Sequence, residues 1–167
     1  ECKEAKEALT YFMMKYWQDL ARPSLLSLVC EAVGGDPDAT TSIAVPMILI
    51  SGAIDIHDDI IDQSKCKDGR PTVYGKFGKD IALLVGDALL FKGFTLLHQT
   101  CRQISIDKMT SILDIMRSMF FELGDAEALE LQFRGRIDVK PEEYLRVVKK
   151  KAADAEAYMR ISAILGN

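Results

Sequence analysis

Four aspartates and a histidine crowd one short run, Asp55-Ile56-His57-Asp58-Asp59-Ile60-Ile61-Asp62. Asp58 and Asp62 stand four residues apart, so on a helix they share one face, and Asp55 and Asp59 repeat that spacing. Like charges so placed repel, and the C-terminal end of a helix disfavours anions further. A bound cation would relieve both penalties. Carboxylates are hard oxygen donors suited to Mg2+, which takes one or two of them and completes its shell with water and phosphate oxygens. Spacing alone leaves a second reading open, a solvated acidic helix end. The preceding run, Val45 to Ile56, is strongly apolar. A buried helix that ends in acids suits the wall of an apolar pocket with a metal at its mouth. His57 either orients one of the aspartates or is a hydrogen-bonded structural histidine.

The elements that carry these residues read as helix after helix, with no alternating strand pattern and no Asn-Gly hairpin. Cys2 to about Tyr16 is amphipathic, with Ala5, Leu9, Phe12, Met13 and Tyr16 at helical spacing. Pro23 opens a second helix that runs from Ser24 to about Val33, where Gly34-Gly35 ends it. Asp36-Pro37 is an N-cap followed by proline at the first helical position. The third helix spans about Asp38 to Ser64, is kinked at Pro46, and at ~1.5 Å per residue would reach roughly 40 Å. Lys65 to Gly78 is a loop rich in glycine. Helices follow from Lys79 to about Gln103, from a cap at Asp107 to about Phe133, and from Pro141 onward. The expectation is one all-α domain over residues 1–167, incomplete at its C-terminus.

Composition narrows the function. Hydrophobic residues make up 49 % of the 167, enough for a core. The net charge of −4 argues against a nucleic-acid binder. Cys2, Cys30, Cys66 and Cys101 lie far apart, and there are two histidines. That pattern fits neither a disulfide framework nor a structural zinc site, and it suits a cytoplasmic protein. The nearest candidate for a membrane span, Ile43 to Ile56, is too short and runs into acids. The chain opens on Glu1 rather than Met, as a trimmed, processed or incompletely recorded sequence would.

In order, His57-Asp58-Asp59-Ile60-Ile61-Asp62, Gly69-Arg70-Pro71-Thr72-Val73, Gly78 and Gly86-Asp87-Ala88-Leu89-Leu90 resemble the trans-isoprenyl diphosphate synthases, archaeal ones above all. The match is the DDxxD motif, the G-x-P-T loop and the GDALL helix start. Arg22-Pro23 with Glu31-Ala32-Val33-Gly34-Gly35 resembles the family's RP…EAxGG helix. Ala128 to Phe133 resembles GQxLDLxF, and Tyr144 to Ala152 resembles YLxxIxxKT with Lys151 on the motif lysine. The resemblance covers nearly the whole chain but about half of a usual member, without the second aspartate-rich motif.

It implies an all-α bundle of the isoprenoid synthase type around an apolar cavity, usually a homodimer, here a homodimer or a heterodimer with a related synthase. It implies a Mg2+-dependent prenyltransferase that joins an allylic diphosphate to isopentenyl diphosphate by ionisation and carbocation attack. Asp58 and Asp62 become direct metal ligands and catalytic residues with Lys151, and Asp59 a supporting ligand. Arg22, Lys67 and Lys151 become diphosphate-binding residues. His57, Glu127 and Glu130 join them at the substrate site, although Glu127 and Glu130 also read as surface acids. Ala53 and Ile54, one turn before the motif, line the chain-length pocket, and the small Ala53 implies a product longer than farnesyl.

The chain departs from the pattern at specific cations. Trp17-Gln18-Asp19-Leu20-Ala21-Arg22-Pro23 stands where the family has GGKRxRP, so the motif lysine is Asp19. Lys67-Asp68-Gly69 stands where the family has RRG, Ala152 where it has the KT threonine, and Glu127 where it has the GQ glutamine. Two of the three cations that grip isopentenyl diphosphate in the family are thus carboxylates. Each such swap turns attraction into repulsion of about 1 kcal/mol or more per charge pair. The allylic half of the site is better matched than the isopentenyl half. Two rival functions follow, a non-catalytic subunit that tunes an active synthase and an enzyme that ionises an allylic diphosphate without condensation.

Overall fold

The computed structural model describes residues 2–167, and about four-fifths of them are helical. The chain divides into two compact units. One holds the segment up to Pro23 and Thr41–Thr100, and the other holds Ser24–Thr40 and Cys101–Asn167.

In the first unit, α1 (Lys3–Tyr11) passes into a π-helical turn, Phe12–Tyr16, closed by Trp17 N–H donating to the Phe12 carbonyl at 2.9 Å. The single amphipathic helix expected to Tyr16 is therefore rewound in its last turn. α3 (Thr41–Ile61) follows a 3₁₀ turn, Pro37–Thr40, that belongs to the second unit. Asp36 Oδ1 accepts from Asp38 N–H at 3.0 Å, the cap expected there. α3 stops short of Ser64 because Gln63 adopts φ 55° and Ser64 N–H returns to the Asp59 carbonyl at 2.8 Å, a left-handed helix end.

The expected loop after α3 is more ordered than its glycines suggest. β1 (Cys66–Lys67) and β2 (Arg70–Pro71) form a minimal antiparallel hairpin with Lys67 opposite Arg70. Asp68 (φ 51°) and Gly69 (φ 72°) make its two-residue turn. Thr72 then caps α4 (Val73–Phe77): its Oγ1 accepts from Gly75 N–H at 2.9 Å and donates to the Ser64 carbonyl at 2.7 Å. α5 (Lys79–Cys101) completes the unit, apart from its last residue. Phe12, Ala53, Ile56, Val73, Val85 and Leu89 share its buried core.

α2 (Ala21–Ala32) crosses into the second unit at Ser24. It starts one turn earlier than Pro23 suggests because Asp19 Oδ1 accepts from Ala21 N–H (3.0 Å) and Arg22 N–H (3.1 Å), which caps it. α6 (Ile106–Phe133) is capped by Ser105 rather than Asp107, which lies in its first turn. α7 (Pro141–Lys151) has proline at N1, and Glu143 reaches back to Lys140 N–H at 2.9 Å. α8 (Ala153–Gly166) buries Ala157, Tyr158, Ile161 and Ser162, and Ser162 Oγ donates to the Leu26 carbonyl. The four cysteines are free; Cys30 and Cys101 are buried, Cys2 and Cys66 exposed.

Two helices, Pro37–Ile61 and Lys79–Cys101, are long and apolar enough to cross a membrane by length and composition, more than the sequence reading allowed. Half of the most apolar stretch of the first is buried, and Ile43, Met47, Ile50 and Ile56 are all buried along this helix. Its acidic end is tied into ion pairs.

Candidate active site

The last turn of α3 and the hairpin bring opposite charges together. Lys67 Nζ lies 2.7 Å from Asp59 Oδ1 and 3.2 Å from Asp58 Oδ2. Two neighbouring carboxylates on a helix meet at one cation because the hairpin hangs beside the helix end. The Asp59 side chain is 3 % exposed and that of Lys67 is 42 % exposed, so the lysine reaches in from the solvent side. Burial pushes the Asp59 carboxyl above its usual range, and the Lys67 ammonium offsets this only in part. Burial alone would lower Lys67, but its hydrogen bond to Asp59 and the charges of Asp59 and Asp58 reverse that and hold it firmly protonated.

Among the described residues, no three His, Cys, Asp or Glu side chains are gathered closely enough to hold a metal ion by themselves. Asp58 and Asp59 nonetheless aim at one point, and the ammonium there is a stand-in ion. Two hard carboxylates on one point fit Mg2+, which takes its remaining ligands from water and phosphate. Asp62 sits exposed just past the end of α3 and is not brought to that point.

Beside this pair lies a cleft of about 330 Å³ lined by Tyr16, Trp17, Gln18, Asp55, Asp59 and Lys67, with Asp68 and Arg70 at the hairpin. The π-helical turn aims Tyr16 and Trp17 here. Trp17 Nε1 donates to Asp55 Oδ2 at 2.6 Å, and the Trp17 and Phe12 rings stack at 5.3 Å. Burial, then the charge of Asp59, raises the Tyr16 hydroxyl to about 12. Arg22 is engaged close by: its Nη1 lies 2.7 Å from Asp19 Oδ2 and 3.9 Å from Asp55 Oδ2. Asp19, in the place of a family lysine, therefore both caps α2 and neutralises the retained arginine.

His57 pairs toward α5 rather than with Lys67. Its Nε2 lies 3.2 Å from Asp87 Oδ1 on α5, and Gly86 leaves the room for its ring. The imidazole thus joins two motifs of the resemblance, one on α3 and one on α5. Ala53 is fully buried in the core of this unit and Ile54 is half-buried.

In the second unit, Lys151 ends α7 between two acids of α6. Its Nζ lies 3.0 Å from Glu127 Oε1 and also pairs with Glu130. Burial would lower this lysine, but hydrogen bonds to Glu130 and Glu127 hold it above its ordinary value. Glu127 and Glu130 are partners of the motif lysine rather than free surface acids. Lys150 is held separately by Glu122 (2.7 Å) and Asp125 (3.3 Å).

Sequence reasoning passed over Tyr16, Trp17 and Asp87 as site residues. The Gly-Asp pair at 86–87 was a visible signal for Asp87. Nothing local marks Trp17, whose partner Asp55 is 38 residues away.

The family model described as Polyprenyl synthetase matches residues 5–167. The chain is 35 % identical over 146 residues to the short chain isoprenyl diphosphate synthase of Methanothermobacter thermautotrophicus, covering 87 % of this chain and 44 % of that protein. It is 31 % identical over 132 residues to the geranylgeranyl diphosphate synthase of Sulfolobus acidocaldarius, covering 79 % and 40 %. The crystal structure of geranylgeranyl pyrophosphate synthetase from Pyrococcus horikoshii superposes with a TM-score of 0.89 at 30 % identity, over 98 % of this chain and 50 % of that one. The chain thus spans about half the length of the relatives it matches. The family model runs almost end to end, and the helical fold is that of solved isoprenyl synthases: this chain belongs to the polyprenyl synthetase family.

Proposed function

We propose that the protein is a Mg2+-dependent prenyltransferase of the isoprenyl diphosphate synthase type, acting on an allylic diphosphate. The observation that carries this reading is the convergence of Asp58 and Asp59 on one cation beside a cleft. The printed names of the relatives, short chain isoprenyl and geranylgeranyl diphosphate synthases, support it. Asp58 and Asp59 would hold the ion, with Asp62 one turn on. Mg2+ bound there would neutralise the diphosphate leaving group. Lys67 supplies an ammonium group for diphosphate oxygens here, and Lys151 is a diphosphate-binding residue by its place in the motif of its own unit.

In the reaction the allylic C–O bond breaks heterolytically and the diphosphate leaves with the electron pair. The double-bond electrons of isopentenyl diphosphate form the new C–C bond, and loss of a proton restores a double bond. The apolar wall of α3, including Ala53 and Ile54, excludes the water that would quench the cation. The small Ala53 favours a product longer than farnesyl. The protein works as a homodimer or paired with a related synthase, in the cytoplasm.

The Asp19–Arg22 pair favours a second reading. With Arg22 neutralised, the isopentenyl half loses its grip, and the protein ionises an allylic diphosphate without condensation or serves as a regulatory subunit. The test uses the purified full-length protein with Mg2+, labelled isopentenyl diphosphate and, in turn, dimethylallyl, geranyl, farnesyl and geranylgeranyl diphosphates. Labelled, elongated product is the expected result. Diphosphate release without label selects the ionising enzyme. Neither signal from a folded protein rejects catalysis and leaves the subunit.

A further inference from the structure

The cleft beside Asp59 is where a nucleophile can meet a cation formed at the carboxylates, and its lining suits a ring. Tyr16 and Trp17 form its aromatic side, and each is backed by another ring. Tyr16 stacks on Tyr11 at 5.9 Å and Trp17 on Phe12 at 5.3 Å. Gly52 on α3 lets the second stack close in, since a β-carbon there would lie 2.9 Å from Phe12 Cε1 and 3.5 Å from Trp17 Cη2. The Trp17 N–H is pinned to Asp55. Rings held in this way offer broad apolar contact with little rotamer freedom left to lose.

Charge selects what can lie against them. The lining holds three carboxylates, Asp55, Asp59 and Asp68, against two cations, Lys67 and Arg70. Lys67 is held by Asp58 and Asp59, Arg70 donates to the Lys15 carbonyl at 3.3 Å, and Arg22 close by is taken by Asp19. Each cation is thus engaged, and the surplus charge is negative, so the lining favours a neutral acceptor over an anionic one. The side chains of Asp68 and Gln18 have no hydrogen bond or ion pair among the described residues. Both can accept from an N–H or O–H, and Gln18 can donate as well. About 330 Å³ has room for a molecule of one or two rings.

We propose that this cleft is an acceptor site for an uncharged aromatic nucleophile bearing an N–H or O–H, of the indole or phenol class, and that the protein prenylates such a ring beside any condensation with isopentenyl diphosphate. This rests on the proposed ionisation of an allylic diphosphate at the neighbouring aspartates. The ring lies against Tyr16 and Trp17, with its N–H or O–H toward Asp68 and Gln18. The allylic C–O bond breaks and its electron pair leaves with the diphosphate. A π pair of the ring forms the new C–C bond. The proton lost from that ring carbon passes to the departed diphosphate, which restores the aromatic ring.

The test incubates the full-length protein with Mg2+, farnesyl diphosphate and either indole or indole-5-carboxylate. Farnesylated ring is measured by mass spectrometry and released diphosphate by a coupled assay, with circular dichroism to verify folding. Wild type is expected to farnesylate indole at least about tenfold faster than the carboxylate, and Asp58→Asn to lose both products. Asp68→Asn is expected to cut that preference to about threefold or less. The two rings keep their own reactivities in this comparison, so the change reads the charge of the lining. Trp17→Leu is expected to lower the share of released diphosphate matched by farnesyl-indole by about tenfold. If Trp17→Leu does not fold, Gln18→Ala takes its place with a loss of the same direction. Diphosphate release without farnesyl-indole overturns the acceptor site and leaves the ionising centre standing. Farnesyl-indole whose share and preference are the same in wild type and in every cleft variant also overturns it, because the cation is then captured outside the cleft. No release from a folded wild type removes the ionising centre and the acceptor site together.

Discussion

Gly86 and His57 fit as space and filler: a β-carbon at Gly86 would lie 2.7 Å from His57 Nε2. Oδ1 of the next residue, Asp87, lies 3.2 Å from the same nitrogen. A Gly-Asp pair on α5 thus receives the histidine that precedes the aspartates on α3, which fixes the acidic helix end against its neighbour. Gly86→Ala is expected to cost about 1–3 kcal/mol in urea unfolding, since a ring packed this closely against α5 yields less than a free chain end. In a His57→Ala background the same substitution is expected to cost less than half as much. Equal costs in both backgrounds would show that the crowding lies elsewhere.

The hairpin turn explains Asp68 by its backbone. At φ 51° the residue is left-handed, a conformation that Asp and Asn tolerate better than most side chains. Asp68→Asn is expected to leave stability within about 0.5 kcal/mol, and Asp68→Ala to cost about 1 kcal/mol. Chemical denaturation of the two variants checks this. A loss in Asn equal to that in Ala would point to the charge instead of the turn.

Tyr16 carries a pH signature. Its folded value is raised from 10.0 to about 12, so between these limits the folded state holds a proton that the unfolded state has released. Stability from this group is complete below pH 10 and falls as pH rises toward 12. Absorbance titration at 295 nm is expected to show one late-ionising tyrosine that disappears in Tyr16→Phe. The alkaline loss of stability is expected to be shallower in that variant. A late tyrosine that persists in Tyr16→Phe would assign the shift to another ring.

Asp19 does two things, and substitution separates them. Asp19→Asn keeps the cap on α2 and removes the charge that neutralises Arg22; Asp19→Ala removes both and is expected to cost about 1 kcal/mol or more. Trp17 is the single tryptophan and is hydrogen-bonded to Asp55 close by, so its fluorescence reports on this corner. Isopentenyl diphosphate is expected to quench it at lower concentration in Asp19→Asn than in wild type. Tighter quenching in wild type would mean that Arg22 remains available despite its pair.

Much of the helical frame was legible because apolar spacing, prolines and glycines punctuate it. The misses have local reasons. Ser105 and Asp107 are both good caps, and their order in the sequence does not decide between them. The strands of the hairpin are two residues each, too short to show alternation, although Asp68-Gly69 was a turn signal in plain view. The π-helical turn leaves no periodic trace, so the placement of Tyr16 and Trp17 could not be read. Asp58, Asp59 and Asp62 were visible as a group. That Lys67 would join Asp58 and Asp59, and leave Asp62 outside, depends on where the hairpin hangs. Asp19 was visible as a lost lysine, but its grip on Arg22 belongs to the folded helix start.

The central claim is that Asp58 and Asp59 form the centre at which an allylic diphosphate ionises. The most direct measurement is Mg2+-dependent release of diphosphate from geranyl and farnesyl diphosphates by the full-length wild type, Asp58→Asn and Asp59→Asn. Release by the wild type is expected to fall by about 100-fold or more in each variant, as when a group that stabilises transition-state charge is lost. Release that survives both substitutions, or that a folded wild type does not show, would contradict the claim.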